Sequence, residues 1–196
     1  MRIVKLTNET KKDLLNNLLK RSPNNYTQYA DTVQEIVDAV KENGNKALFE
    51  YTKKFDKADI HEGNIKVTKE EIEKAYEEVD AHLLEVIRKA LVNIRTYHEK
   101  QKQYSWFDTT EDGTMLGQKV TPLQSVGVYV PGGKAVYPSS VLMNIVPAKV
   151  AGVKNIIMTT PCNADGKVYA TTLVAANEAG VDAIYKAGGA QAIAAL

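Results

Sequence analysis

The sequence predicts an α/β protein whose first hundred residues are mainly helical and whose remainder alternates strands with helices. Three observations carry this. Up to Tyr97 the apolar residues recur at three- and four-residue spacing, as the buried stripe of a helix requires. Beyond Pro122, three short apolar runs at 126–130, 155–160 and 183–187 are separated by helical segments at 139–151 and 167–179. Two of those runs break into glycine turns, Pro131-Gly132-Gly133 and Gly188-Gly189, which cannot continue a strand. Helical crossovers of this length join parallel strands with right-handed connections, so the three runs form one parallel sheet.

The elements follow in order. Residues 9–21 place Leu14, Leu15, Leu18 and Leu19 on one helical face, and Ser22-Pro23 stops the run. A leucine stripe on a short terminal helix needs a partner, within the domain or on another subunit. Val33, Ile36, Val37 and Val40 mark a second helix closed by Gly44, and Leu48, Tyr51, Thr52 and Phe55 mark a third. Thr68-Lys69-Glu70-Glu71 is a capping box, followed by the apolar face Ile72, Ala75, Tyr76 and Val79. Asp80 caps a longer helix carrying Leu83, Leu84, Ile87, Leu91, Ile94 and Tyr97. From Trp106 to Val120, Glu111-Asp112-Gly113-Thr114 separates two stretches of strand character, a hairpin signal. Pro147 falls inside the helix at 139–151 and is expected to bend or loosen it. The last segment, 192–196, is a short apolar helix with no polar stop, so the chain is expected to continue past Leu196.

Charged residues make up 25% and hydrophobic ones 44%, the balance of a soluble globular chain. A net charge of +1 with mixed signs gives no electrostatic footprint for nucleic acid or a membrane surface. No apolar stretch is long enough to cross a bilayer, and no basic-then-apolar segment follows Met1. The single cysteine, Cys162, cannot form an internal disulfide, so a cytoplasmic protein is expected. No nucleophile signature surrounds Cys162, which reads as a structural thiol. His61, His82 and His98 lack metal-ligand spacing, and the last two read as solvated or packing residues of a long helix. No metal ligand and no catalytic residue is therefore assigned within this chain.

The two glycine turns leave strands of one sheet and so share its carboxyl edge, where α/β folds hold ligands. The side chains they present are Tyr129, which can stack and hydrogen-bond, and Gln191, which both donates and accepts. Glycines there would let backbone amides approach a ligand closely. Neither turn contains G-x-G-x-x-G, so nucleotide binding and an ordinary strand-to-helix turn both remain open from the residues alone.

The strings LGQKVTPLQSVGVYVPGGKAVYPSSVLMNIVPAKVAGVKNIIMTTP and AGVDAIYKAGGAQAIAAL closely resemble stretches of histidinol dehydrogenase. GNKALFEYTKKFD, VTKEEIEKAY and IRTYHEKQ resemble the N-terminal region of the same family, so the resemblance covers essentially the whole chain. Members are about twice as long, and this chain is similar to their N-terminal half. The resemblance implies a zinc-dependent, NAD-linked homodimer that oxidises L-histidinol to L-histidine through the aldehyde in two hydride transfers, the last steps of histidine biosynthesis. It implies a helical arm at 1–22 used in dimer contacts, part of a first α/β domain at 23–125, and an incomplete Rossmann-like domain at 126–196 that binds NAD. The family's tyrosine and glutamine contacts to NAD map onto Tyr129 and Gln191. Its further asparagine contact, zinc ligands, catalytic glutamate–histidine pair and substrate residues map beyond Leu196. Two alternatives stand beside this reading. One is a related zinc dehydrogenase of another small hydroxylated substrate; the other is a non-catalytic fragment that binds nucleotide weakly and self-associates.

Overall fold

A computed structural model of the chain describes residues 5, 7–12, 14, 26–132 and 136–196. Residues 8–12 are helical, and Leu14 is exposed; Leu15, Leu18 and Leu19, the rest of the leucine stripe, lie outside the described residues. Helix α1 (Thr27–Asn43) ends at Gly44, and α2 (Asn45–Asp56) begins at the next residue. Gly44 has φ 56° and its amide bonds the Val40 carbonyl, so it closes one helix and redirects the chain into the next. Leu48 and Thr52 are buried as the spacing predicts, whereas Phe55 is exposed.

The capping box at Thr68 forms in full. Its hydroxyl accepts the Glu71 amide at 3.2 Å, and the Glu71 carboxylate accepts the Thr68 amide at 2.9 Å, starting α3 (Lys69–Glu78). Asp80 caps α4 (Ala81–Glu99) by accepting the amides of His82 and Leu83. The hairpin follows as β1 (Trp106–Thr109) and β2 (Met115–Gln118), antiparallel and exposed along both strands. Gly113 takes φ 84° in its turn, and Asp112 accepts the Thr114 amide across it.

The second half is β3 (Ser125–Tyr129), α5 (Pro138–Ala151), β4 (Asn155–Thr160), α6 (Ala170–Ala179), β5 (Ala183–Lys186) and α7 (Gly189–Ala195). The strands form a parallel sheet in the order β3-β4-β5. Helix α5 runs on through Pro147 to Gly152, where φ 91° ends it. Helix α6 starts three residues later than its periodicity suggests, because Asn163 folds the preceding segment into a turn, accepting the amides of Asp165 and Lys167.

Strand alternation gives the sheet two unlike faces. Val126, Val128, Ile156, Met158 and Ile184 face α5 and α6, and they share one core with Val141, Ile145, Val146 and Val174. Helices α3 and α4 pack on the outside of that layer through Ala75, Ile87 and Leu91. An ionic clamp fixes them there. Arg88 forks onto Glu178 of α6 with bonds of 2.9 and 2.8 Å, and the Tyr76 hydroxyl donates to the same carboxylate at 2.8 Å. The guanidinium holds the Glu178 carboxyl below its ordinary pKa. The opposite face carries Gly127, Tyr129, Ile157, Thr159, Ala183 and Tyr185. It is covered by α7, which packs against α1 and α2. A Cβ on Gly127 would come within 2.8 Å of Leu196.

The outer edge of β5 is also closed. Val67 donates its amide to the Ile184 carbonyl at 2.9 Å, and Lys186 donates to Ile65 at 2.8 Å, an antiparallel bridge from the segment before α3. At the other end of these strands, Asp182 accepts the Ile156 amide at 2.8 Å and pairs with Lys149 at 3.1 Å.

This layering sets where substitutions should hurt. Met158 is fully buried in the middle strand, so Met158→Ala should lower the unfolding free energy by about 2–5 kcal/mol. Trp106 is 56% exposed, so Trp106→Ala should change it by no more than about 0.5 kcal/mol. Urea titrations of the two variants compare them directly, and equal losses would contradict the placement of the core.

Candidate functional site

The carboxyl edge of the sheet gathers the two residues singled out by sequence. Tyr129 is the last residue of β3, and Gln191 sits in the first turn of α7, just past β5. The Tyr129 hydroxyl accepts the Gly189 amide at 3.3 Å, so the β3 end reaches across β4 to the β5–α7 turn. Gln191 is 1% exposed, and neither its Oε1 nor its Nε2 has a hydrogen-bond partner among the described residues. A buried primary amide with nothing bonded to it is costly, by about 1–3 kcal/mol, and such groups mark sites completed by something else.

The turns themselves work differently from the expectation. A Cβ on Gly188 would lie 2.6 Å from the Pro161 side chain, and one on Gly132 would lie 3.1 Å from it. Both glycines close onto Pro161, the residue that follows β4. Their lack of a side chain serves packing of the two turns on one proline, and Gly133 lies outside the described residues. Gly189 is a different case. Its φ of +65° favours glycine, and a Cβ there would meet Gln191 Oε1 at 2.6 Å.

Three residues that sequence reasoning passed over complete this edge. Thr159, paired across the sheet with Tyr129, is 3% exposed and donates its hydroxyl to the Ala187 carbonyl at 2.6 Å. Lys186 is 6% exposed and its ammonium pairs with Glu71, the same carboxylate that completes the capping box at Thr68. A lysine inside the apolar run AIYKA was the signal, since a buried ammonium needs an acid. Asp56, at the end of α2, keeps one carboxylate oxygen buried and without a partner among the described residues, and desolvation raises its pKa.

Cys162 is buried among Ala58 and Ile60. Burial, reinforced by the charge of Asp56, pushes its thiol up to about 11. A thiol so protonated is no nucleophile at neutral pH, in keeping with its reading as structural. His61 bonds the Gly63 amide, and His98 bonds Gln101, so neither joins the edge. Among the described residues no three His, Cys, Asp or Glu side chains converge in a metal-binding group. Among the described residues no helix is long and apolar enough to cross a membrane. Open clefts lie elsewhere, two of them on the helical layer that covers the sheet. One of about 680 Å³ is lined by Tyr104, Pro122, Pro147 and Gly152 near the amino ends of the strands, the wrong end for an α/β ligand site. The other, about 340 Å³, lies between α3 and the loop before α6.

Residues 19–196 match the family model described as histidinol dehydrogenase. The chain is 57% identical over 164 residues to histidinol dehydrogenase of Geobacillus kaustophilus (strain HTA426), covering 84% of this chain and 38% of that protein. It is 57% identical over 179 residues to histidinol dehydrogenase of Bacillus subtilis (strain 168), covering 91% and 42%. Among solved structures, the crystal structure of histidinol dehydrogenase from Elizabethkingia anophelis superposes with a TM-score of 0.79 at 38% identity, over 85% of this chain and 38% of that one. The chain thus spans less than half the length of these relatives.

The state of Cys162 can be checked directly. At pH 8 the native chain should react with Ellman's reagent far more slowly than the urea-unfolded chain, because burial raises the thiol pKa to about 11 and shields the sulfur. Equal rates before and after unfolding would show an accessible, ionised thiol instead.

Proposed function

The chain belongs to the histidinol dehydrogenase family, and from that premise we propose that it supplies the dinucleotide-binding part of an enzyme oxidising L-histidinol to L-histidine with NAD and zinc. What supports the reading most is the buried amide of Gln191, without a hydrogen-bond partner among the described residues, beside Tyr129 at the carboxyl edge of a parallel sheet. On this reading 126–196 is a Rossmann-like NAD-binding domain, 23–125 belongs to a first α/β domain, and 1–22 is an arm that meets a second copy in a homodimer. The enzyme works in the cytoplasm.

The residues of this edge fit a dinucleotide. Tyr129 offers a ring face for stacking and a hydroxyl whose partner among the described residues is a backbone amide at 3.3 Å. Gln191 offers one donor group and one acceptor, a pair that suits a carboxamide, a hydroxyl or a ring nitrogen of a nucleotide. NAD, when bound, supplies the hydride acceptor. The role of these residues is to hold and orient it; none of them is placed to take a proton. Lys186 is tied to Glu71 and Cys162 stays protonated. The described residues do not fit zinc, so no step here runs through it. On the family mapping, the zinc ligands and the proton-handling pair fall outside 1–196.

In the full-length enzyme, Tyr129→Ala and Gln191→Ala should each weaken NAD binding by about 1 kcal/mol, several-fold in affinity, and more than they weaken zinc binding. Calorimetric titration decides, and unchanged NAD affinity in both variants rejects the assignment. The purified 196-residue chain, given NAD, zinc and histidinol, should form no NADH. Turnover surviving rigorous purification would place the proton-handling residues inside this chain.

A further inference from the structure

We propose that Thr159 is a positioning residue for this nucleotide edge, its hydroxyl setting, through the Ala187 carbonyl, the turn that places Gln191. The inference rests on reading Tyr129 and Gln191 as nucleotide contacts. Thr159 sits in the central strand between the two turns and serves both. Its carbonyl accepts the Val130 amide at 2.9 Å on the β3 side, and its hydroxyl donates to Ala187 at 2.6 Å on the β5 side.

The β5–α7 turn cannot fix its own shape. Gly188 and Gly189 have no side chains to restrict them, and glycine is the residue with the widest backbone freedom. Among the described residues three outside contacts hold it: Thr159 on Ala187, Pro161 against Gly188, and the Tyr129 hydroxyl on the Gly189 amide. The Thr159 bond is the shortest hydrogen bond among them and is buried, where a bond is stronger than in water. Gln191 Oε1 in turn rests against the backbone of Gly189, within 2.6 Å of where a Cβ would stand. A rotation of the Gly188–Gly189 peptides thus moves the Gln191 amide. Valine has the same branched shape and would fill this buried position with no polar group to satisfy, so the feature that matters at 159 is the hydroxyl, not the volume.

The test is a chemical-shift titration of NAD, taken to millimolar concentration, into the chain and its Thr159→Val, Thr159→Ser and Gln191→Ala variants. Thr159→Val should shift the Gly188 and Gly189 amides before NAD is added and weaken binding about as much as Gln191→Ala, several-fold to tenfold. Thr159→Ser keeps the hydroxyl and should bind within about twofold of the parent chain. If Gln191→Ala weakens binding and Thr159→Val does not, the positioning role is overturned and the site stands. If Gln191→Ala binds like the parent chain, the site reading falls and this inference with it. Should Thr159→Val not fold, Thr159→Ser decides, because loss of affinity there would mean that the methyl, not the hydroxyl, is what the position needs.

Discussion

Strand β4 is the central strand of the parallel sheet, hydrogen-bonded to β3 on one side and to β5 on the other. Its side chains divide by parity. Ile156 and Met158 are fully buried toward α5 and α6, while Ile157 and Thr159 face α7. One strand therefore anchors the apolar core, sets the register of both neighbours, and ends at the candidate edge in Thr159-Thr160-Pro161. Because that ending wedges between Gly132 and Gly188, the spacing of the two turns is a consequence of core packing rather than of loop chemistry. A shift of β4 by one residue would exchange its two faces and take Thr159 away from Ala187 at the same stroke.

The N-terminal helices are fastened to this sheet at two charged points with different physics. Arg88 and Glu178 meet at the surface of the helical layer, where solvent screens much of their attraction and the forked geometry matters more than the charge. Lys186 and Glu71 meet in a drier place, the lysine 6% exposed. Removing either partner there would strand a charge with little water to solvate it. Glu71 thereby links three things: the start of α3, the end of β5, and the cap of Thr68. The candidate edge is thus held from below by β4 and from the side by α3, while α7 is pressed down by α1 and α2.

How much of this was legible in the sequence varies with the range of the interaction. The capping box at Thr68, the Asp80 cap, the Gly44 break and the Asp112-Gly113 turn are local, each decided within a few residues, and all form as read. The parallel sheet followed from the alternation of apolar runs and helices, and the shared edge of Tyr129 and Gln191 followed from the sheet. Contacts between distant segments were not legible. Nothing near Lys186 names Glu71, 115 residues earlier, and nothing near Ile65 says that it closes the edge of β5. The glycine turns were read correctly as turns, but their packing on Pro161 was not foreseen. Local sequence tells that a residue lacks a side chain; only packing tells that Pro161 fills the space.

Gln191 shows why the edge is better understood as an unfinished structure than as a loop that happens to be nearby. Proteins rarely leave both ends of a buried amide unbonded, because water would satisfy them if it could enter and a hydrophobic residue would fit more cheaply if it could not. In α7 the neighbours are Ala190, Ala192 and Ala194, small apolar residues that pack without polar demands, and Ala192 joins Leu48 and Ala187 in a small core. Placed among them, a glutamine whose Oε1 and Nε2 have no partner among the described residues is the kind of group that a ligand can complete. The same reasoning explains why the neighbouring groups are arranged with their bonds already made. Thr159 is saturated by Ala187, Lys186 by Glu71 and Gly189 by the hydroxyl of Tyr129. Among the described residues of this edge, the Gln191 amide and one Asp56 carboxylate oxygen are left without partners, and the longest of the bonds just named, from Gly189 to Tyr129, is the one a ligand would exchange at least cost.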